Sequence, residues 1–201
     1  MKKLVAPFAV LLLLSFGLTA EKLTDEEREK AVGKLTSTHE HMINTLEGLS
    51  EEQLDYKTTP ESWSIAECVE HLTISEHAFA ELLKTTLATP PDEAMRAAAT
   101  MEDDQVYAMI SSREKKVKTS EAFEPTGKFG GYQLTLDALT AKRTEHIEYL
   151  KTTEDDFRNH FNEMPFGTLD AYQIVIFMAG HTERHVMQME EILEDEDFPE
   201  E

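Results

Sequence analysis

The sequence predicts an all-α fold: a four-helix bundle with an inserted helical segment between its second and third long helices. Three observations carry that expectation. Several stretches repeat apolar residues at three-and-four spacing, the period of one helical face. No run alternates for long in the manner of a strand. Glycines (eight) and prolines (seven) are few among 201 residues, whereas hydrophobic residues make up 40%, enough for one core.

The first twenty residues stand apart. Lys2 and Lys3 precede the leucine-rich stretch Leu4 to Leu14, and small and mixed residues follow from Ser15 to Ala20. This is the layout of a secretory signal peptide, too short to cross a bilayer comfortably. It predicts cleavage after Ala20, export to the periplasm or medium, and no stable membrane insertion of the product. The mature domain is then residues 21–201, ending in an acidic tail. Loss of two lysines takes the formal charge from −21 to −23. Such a surface repels phosphates and disfavours a nucleic-acid partner. Cys68 is the only cysteine, so no intramolecular disulfide can form.

The first long helix begins at Thr24, which has capping-box spacing to Glu27. Its seam runs Ala31, Leu35, Thr38, Met42, Leu46 and Leu49, with Gly48 and Ser50 weakening its end. A connection through Thr58, Thr59 and Pro60 follows. The second starts at Ser64, a second capping box with Glu67, and continues through Ile65, Cys68, Leu72, Phe79 and Leu82 to Leu87. Pro90 and Pro91 stop it. Residues 92–118 read as one or two helical pieces, and Thr119 to Gly131, with Pro125 and three glycines, as a loop. The third long helix is expected over Leu134 to Phe161, with a break near Thr152 allowed. A turn at Met164 to Gly167 leads to the fourth, from Asp170, again with cap spacing to Gln173, to about Leu193.

The fourth helix carries the sharpest feature, His181-Thr-Glu-Arg-His185. Residues four apart project from one helical face, so two imidazoles can reach one ion. Ile174, Phe177 or Met178, His181, His185 and Gln188 step by three or four, which sets both histidines on the bundle-facing stripe. Arg184 and Glu190 lie off it. Alone, such a pair is weak, because a single inward histidine is more often a hydrogen-bonded core residue. Glu does not follow the first histidine, so the pattern is not the thermolysin-type motif. On the second helix, His71 lies one step from Cys68 and Ser75, at the edge of the inward face. Three neutral imidazoles would form a facial set with open positions. Cys68 reads as a buried small hydrophobe and Glu67 as a cap. His39 borders the inward face, His41 cannot share it, and His77, His146 and His160 read as surface or packing residues.

Trp63-Ser64-Ile65-Ala66-Glu67 with His71-Leu72, then Pro165-Phe166-Gly167 with His181-Thr-Glu-Arg-His185 and Gln188, resemble the two signatures of the DinB-like, YfiT-related metal-binding proteins. The likeness spans about residues 23–195. It implies a four-helix bundle, often a homodimer, in which His71, His181 and His185 bind one divalent ion: zinc or nickel first, iron or manganese otherwise. Members with assigned chemistry include cytoplasmic thiol-dependent transferases and an isomerase, whereas an exported chain would lack that thiol supply. Two functions are therefore expected. One is a metal-dependent hydrolase or small-group transferase acting on a small molecule; the other is a non-catalytic small-ligand or interaction module on the same bundle.

Overall fold

The computed structural model describes residues 21–200. The segment expected to direct export lies outside these residues, and among those described no helix is long and apolar enough to cross a membrane. Four long helices form the frame: α1 (Asp25–Leu46), α3 (Ile65–Leu87), α6 (Tyr132–Thr152) and α7 (Ala171–Leu193). Short helices α2 (Glu51–Asp55), α4 (Glu93–Ala98) and α5 (Asp103–Ser111) lie in the connections, with a 3-10 turn at Glu121–Phe123. The expected bundle and its two-piece insertion are thus observed.

Helix starts follow local chemistry. Thr24 Oγ1 accepts from the Glu27 N–H while Glu27 accepts from the Thr24 N–H, and Ser64 with Glu67 and Asp170 with Gln173 repeat the exchange. Each box satisfies two backbone donors that the first turn leaves without partners. Ser50 and Gln53 make a further box and start α2, a short helix ahead of the expected connection at Thr58 to Pro60.

The third long helix ends at Thr152, where a break was allowed, and the helical continuation expected as far as Phe161 is absent: Phe161 begins a strand instead. Side chains beyond Thr152 take over the backbone: Thr153 Oγ1 accepts from the Asp155 N–H at 3.1 Å, and Asp156 accepts from the Arg158 and Asn159 N–H groups at 3.1 and 3.0 Å. Such local bonds compete directly with helix propagation. The chain then forms a small antiparallel hairpin, β1 (Phe161–Met164) with β2 (Gly167–Asp170), Met164 facing Gly167. Gly167 has φ 141°, a conformation glycine adopts freely.

In the bundle, α1 packs on α6 and α7, and α3 packs on the same two helices. Helices α1 and α3 therefore face across one diagonal, α6 and α7 across the other. Helix α5 lies on the outer side of α7, so α7 is covered on three sides and buried almost all round. The close approach falls at Gly180, where an added Cβ would meet the Tyr107 carbonyl oxygen at 3.2 Å and Ile110 Cβ at 3.3 Å.

Apolar side chains collect in two clusters along the bundle. One gathers Leu35, Phe79, Leu83, Leu150, Phe157, Ile174 and Met178; the other gathers Met42, Leu46, Ile65, Cys68, Leu72, Leu139, Val186 and Met189. Between them runs a layer of buried polar residues, one from each long helix: Thr38, Glu76, Arg143 and Thr182. The Arg143 guanidinium donates to both Glu76 carboxylate oxygens at 2.7 and 2.8 Å and to Thr182 Oγ1 at 2.7 Å. Its remaining nitrogen reaches the Leu35 carbonyl and Thr38 Oγ1 at 3.2 and 3.3 Å. All faces of the guanidinium fork are used.

Candidate metal centre

Where α3 packs on α7, the two helices bring three imidazoles together. His71 and His185 are buried and His181 is partly so, and one ring nitrogen from each lies within 4.8 Å of the others. The i, i+4 spacing on α7 aligns His181 and His185, and the α3–α7 contact delivers His71 opposite them.

Each ring is oriented from outside. His71 Nδ1 lies 2.8 Å from the Phe123 carbonyl oxygen, which can only accept, so Nδ1 carries the proton and Nε2 presents a lone pair. His185 Nδ1 lies 3.0 Å from Gln188 Oε1, which fixes the same tautomer. Arg113 donates to that same Gln188 oxygen at 3.2 Å and pairs with Glu191 through Nε at 3.0 Å. His71 Nε2 sits 3.2 Å from His181 Nε2.

Aromatic rings enclose the centre. Trp63 packs on His71 and His185 with centroid separations of 4.9 and 6.2 Å, and Phe79 and Phe177 contact the His181 ring at 5.6 and 6.1 Å. This apolar wall keeps the imidazoles neutral. Burial lowers the pKa of His71 even though the Phe123 carbonyl favours its charged form. Burial, and then His185 and His71, hold His181 well below the ordinary histidine range. Burial, and then His71, take His185 down to about 3. All three are thus in the metal-ligating form at neutral pH.

The residues fit a divalent ion by the chemistry of the donor set. With His71 and His185 holding their protons outward, at most His181 can place a hydrogen in the middle, and two lone pairs still converge. Nitrogens bound to one tetrahedral ion at about 2.0–2.1 Å stand roughly 3.3 Å apart, close to the His71–His181 separation. Outward N–H groups held by a carbonyl or amide oxygen are also the usual outer partners of ligating histidines.

The other expectations divide. Cys68 is fully buried and unpaired, with its thiol pushed up to about 12 by burial. Glu67 caps α3 and also accepts from Lys57 at 2.7 Å. Glu190 accepts from His41, off the stripe as expected, and Arg184 donates to the Lys115 carbonyl at 2.6 Å. His39 is half-buried and held low by burial and by Arg143, which places it beside the polar layer. His77 is exposed, its ring stacked near Phe129 at 5.7 Å. His160 donates to the Thr89 carbonyl. His146 faces inward: it is 6% exposed, with Nδ1 2.8 Å from Glu76 and a buried Nε2 without a hydrogen-bond partner.

Sequence reasoning missed Phe123, Arg113 and the enclosing part of Trp63. The first two lie in or beside a stretch that carries almost no helical period, so periodicity is silent there. A separate cavity of about 250 Å³, lined by Glu27, Arg158, Asp170 and Gln173 among others, includes none of the three histidines. Its Arg158 is already taken by Glu27, Asp103 and Asp170.

Comparison with known proteins places the architecture. A family model described as the DinB superfamily matches residues 34–189. Over 154 residues, 75% of this chain and 90% of the relative, the sequence is 30% identical to the uncharacterized protein YuaE of Bacillus subtilis (strain 168). A solved structure described as "YfiT from Bacillus subtilis is a probable metal-dependent hydrolase with an unusual four-helix bundle topology" is similar at a TM-score of 0.55. Its identity is 15%, over 87% of this chain and 90% of that one, so the likeness is one of fold.

Proposed function

The chain belongs to the DinB superfamily, and on that premise we propose that His71, His181 and His185 hold one divalent metal ion serving a metal-dependent hydrolase or small-group transferase. The observation that carries the reading is the convergence of three neutral imidazoles whose outer nitrogens are tied to Phe123 and Gln188. The hydrolase description of the YfiT fold neighbour agrees with it. Imidazole donors suit zinc and nickel, then iron, over harder ions; manganese is the weakest fit.

When bound, the ion supplies Lewis acidity toward a small substrate at the coordination positions that three protein ligands leave open. The protein's own part is orientation and exclusion. Phe123 and Gln188 hold the donor nitrogens in place, and Trp63, Phe79 and Phe177 form an apolar wall around the rings. The layout of residues 1–20 supports an exported location for this chemistry.

The test is elemental analysis of untagged protein purified from its native compartment, followed by assays of the loaded protein on small esters and electrophiles. About one equivalent of metal with turnover supports the enzyme. Metal without turnover leaves the binding module, and no metal in wild type with none taken up on titration ends the reading. Intact mass of the same sample checks export: loss of residues 1–20 is expected, and a full-length cytoplasmic product overturns it.

A further inference from the structure

A buried carboxylate next to the first histidine is not used by the centre itself. Glu70 is 8% exposed, and its oxygens accept from three consecutive backbone N–H groups: Thr126 at 3.1 Å, Gly127 at 2.9 Å and Lys128 at 3.0 Å. Successive N–H groups turned onto one anion form a small concave anion site. The turn is made where Gly127 takes φ 74°, in the left-handed region that favours glycine. Three residues upstream on the same segment, the Phe123 carbonyl receives the His71 Nδ1–H at 2.8 Å. Neighbouring residues of α3 therefore grip both ends of residues 123–128, one as acceptor and one as donor.

We infer that Glu70 is a positioning residue for the candidate metal centre: it anchors the segment whose Phe123 carbonyl fixes the tautomer and direction of the His71 ring. The chemistry requires a carboxylate. An amide offers one acceptor oxygen, and its NH2 group would face a backbone N–H, so Glu70→Gln removes at least one of the three bonds and sets donor against donor. The segment contains only one 3-10 turn, Glu121–Phe123, and no longer element to hold it. With the anchor weakened, the Phe123 carbonyl is no longer fixed and His71 can exchange its proton between Nδ1 and Nε2. Every molecule with the proton on Nε2 has lost one metal donor. The consequence for metal affinity rests on the reading proposed above; the consequence for the His71 tautomer does not.

The experiment uses the full chain in two arms. In the first, nitrogen-15 NMR of the metal-free protein reports which His71 nitrogen carries the proton. Wild type should show Nδ1–H, and Glu70→Gln a mixture of both tautomers. In the second, zinc affinity is measured by competition with a chromophoric chelator. Glu70→Gln should bind zinc about 10–100-fold more weakly, the range for loss of an outer partner of a ligating histidine. In a His71→Ala background the same substitution should change affinity by less than about twofold, because the ring it acts through is gone. Glu70→Asp keeps the charge one methylene shorter and should fall between, which preserves the test if Glu70→Gln does not fold. An unchanged His71 tautomer with unchanged zinc affinity overturns the inference. So does an equal loss of affinity with and without His71, the mark of general loosening. If wild type takes no zinc but Glu70→Gln still mixes the tautomers, the positioning role stands and the metal reading falls.

Discussion

Burial that would expel a cation suits an imidazole that must stay neutral to bind one. His71, His181 and His185 are each pushed below the ordinary histidine pKa chiefly by burial. Alanine at any one of them should weaken zinc binding by more than about 100-fold, since losing only an outer partner already costs about 10–100-fold. His77→Ala should leave affinity unchanged, because that ring is exposed and stacked near Phe129. Zinc competition on folded variants checks both, and wild-type affinity in His181→Ala or His185→Ala would show that the set is not a site. The inward placing of His181 and His185 was legible because their spacing continued an apolar seam, whereas His71, at the edge of its face, joined them only through the family resemblance. Glu76, Arg143 and His146 were not read as core, since charged side chains on a helix usually mark its wet face. A signal was nevertheless present. Arg143 and His146 step by four and three from Leu139 toward Leu150, and Glu76 lies between Leu72 and Phe79 on the buried side of α3.

Local rules read from the chain survive best where a cap fixes an element's start. Ser64 caps α3 and so sets the rotation that aims His71 inward. Ser64→Ala should destabilise the protein by about 1 kcal/mol, measured by urea unfolding, and no change would deny the cap a role. The end of the third long helix was legible only as an allowed break near Thr152, because its stop is made by side chains rather than by glycine or proline. Thr153, Asp155 and Asp156 turn the backbone, and Leu150 and Phe157 keep the apolar spacing alive across the break. Helix α5 was foreseen only as a piece without a place. Its position is set by Gly180, whose missing side chain lets the α5 backbone approach α7. Gly180→Val should force the two helices apart and lower stability by about 1–3 kcal/mol, the usual cost of overpacking. Differential scanning of the variant decides this: an unchanged melting temperature would mean that α5 is free to shift.

Across the whole molecule, the two apolar clusters are separated by one polar layer to which every long helix contributes. Helices that face across diagonals share few direct contacts, so Arg143 is the group that touches all three of its companions. Removing it alone leaves the Glu76 carboxylate buried with only the His146 hydrogen bond to hold it; Arg143→Met should cost about 3–5 kcal/mol, and replacing Glu76 by methionine as well should recover much of that loss. The pair also sets a pH window. Burial alone would raise the Glu76 pKa, but the Arg143 charge and the His146 hydrogen bond outweigh it and hold the carboxyl down to about 2. Its value in the unfolded chain is near 4.5. Between those limits the unfolded chain binds the extra proton, so the stabilisation is complete above about pH 4.5 and is lost as pH falls toward 2, by at most about 1.4 kcal/mol per unit. His185, held down to about 3, and His181, held well below the ordinary range, add their own loss of stability from about pH 6.5 down through the same window, in wild type and variant alike, so the difference between the two isolates Glu76. Urea midpoints of the metal-free protein should therefore fall more steeply between pH 4.5 and 3 in wild type than in the double methionine variant. Equal slopes would show that the Glu76 carboxyl is not held down in the folded protein, and that the polar layer ties the bundle by shape rather than by charge.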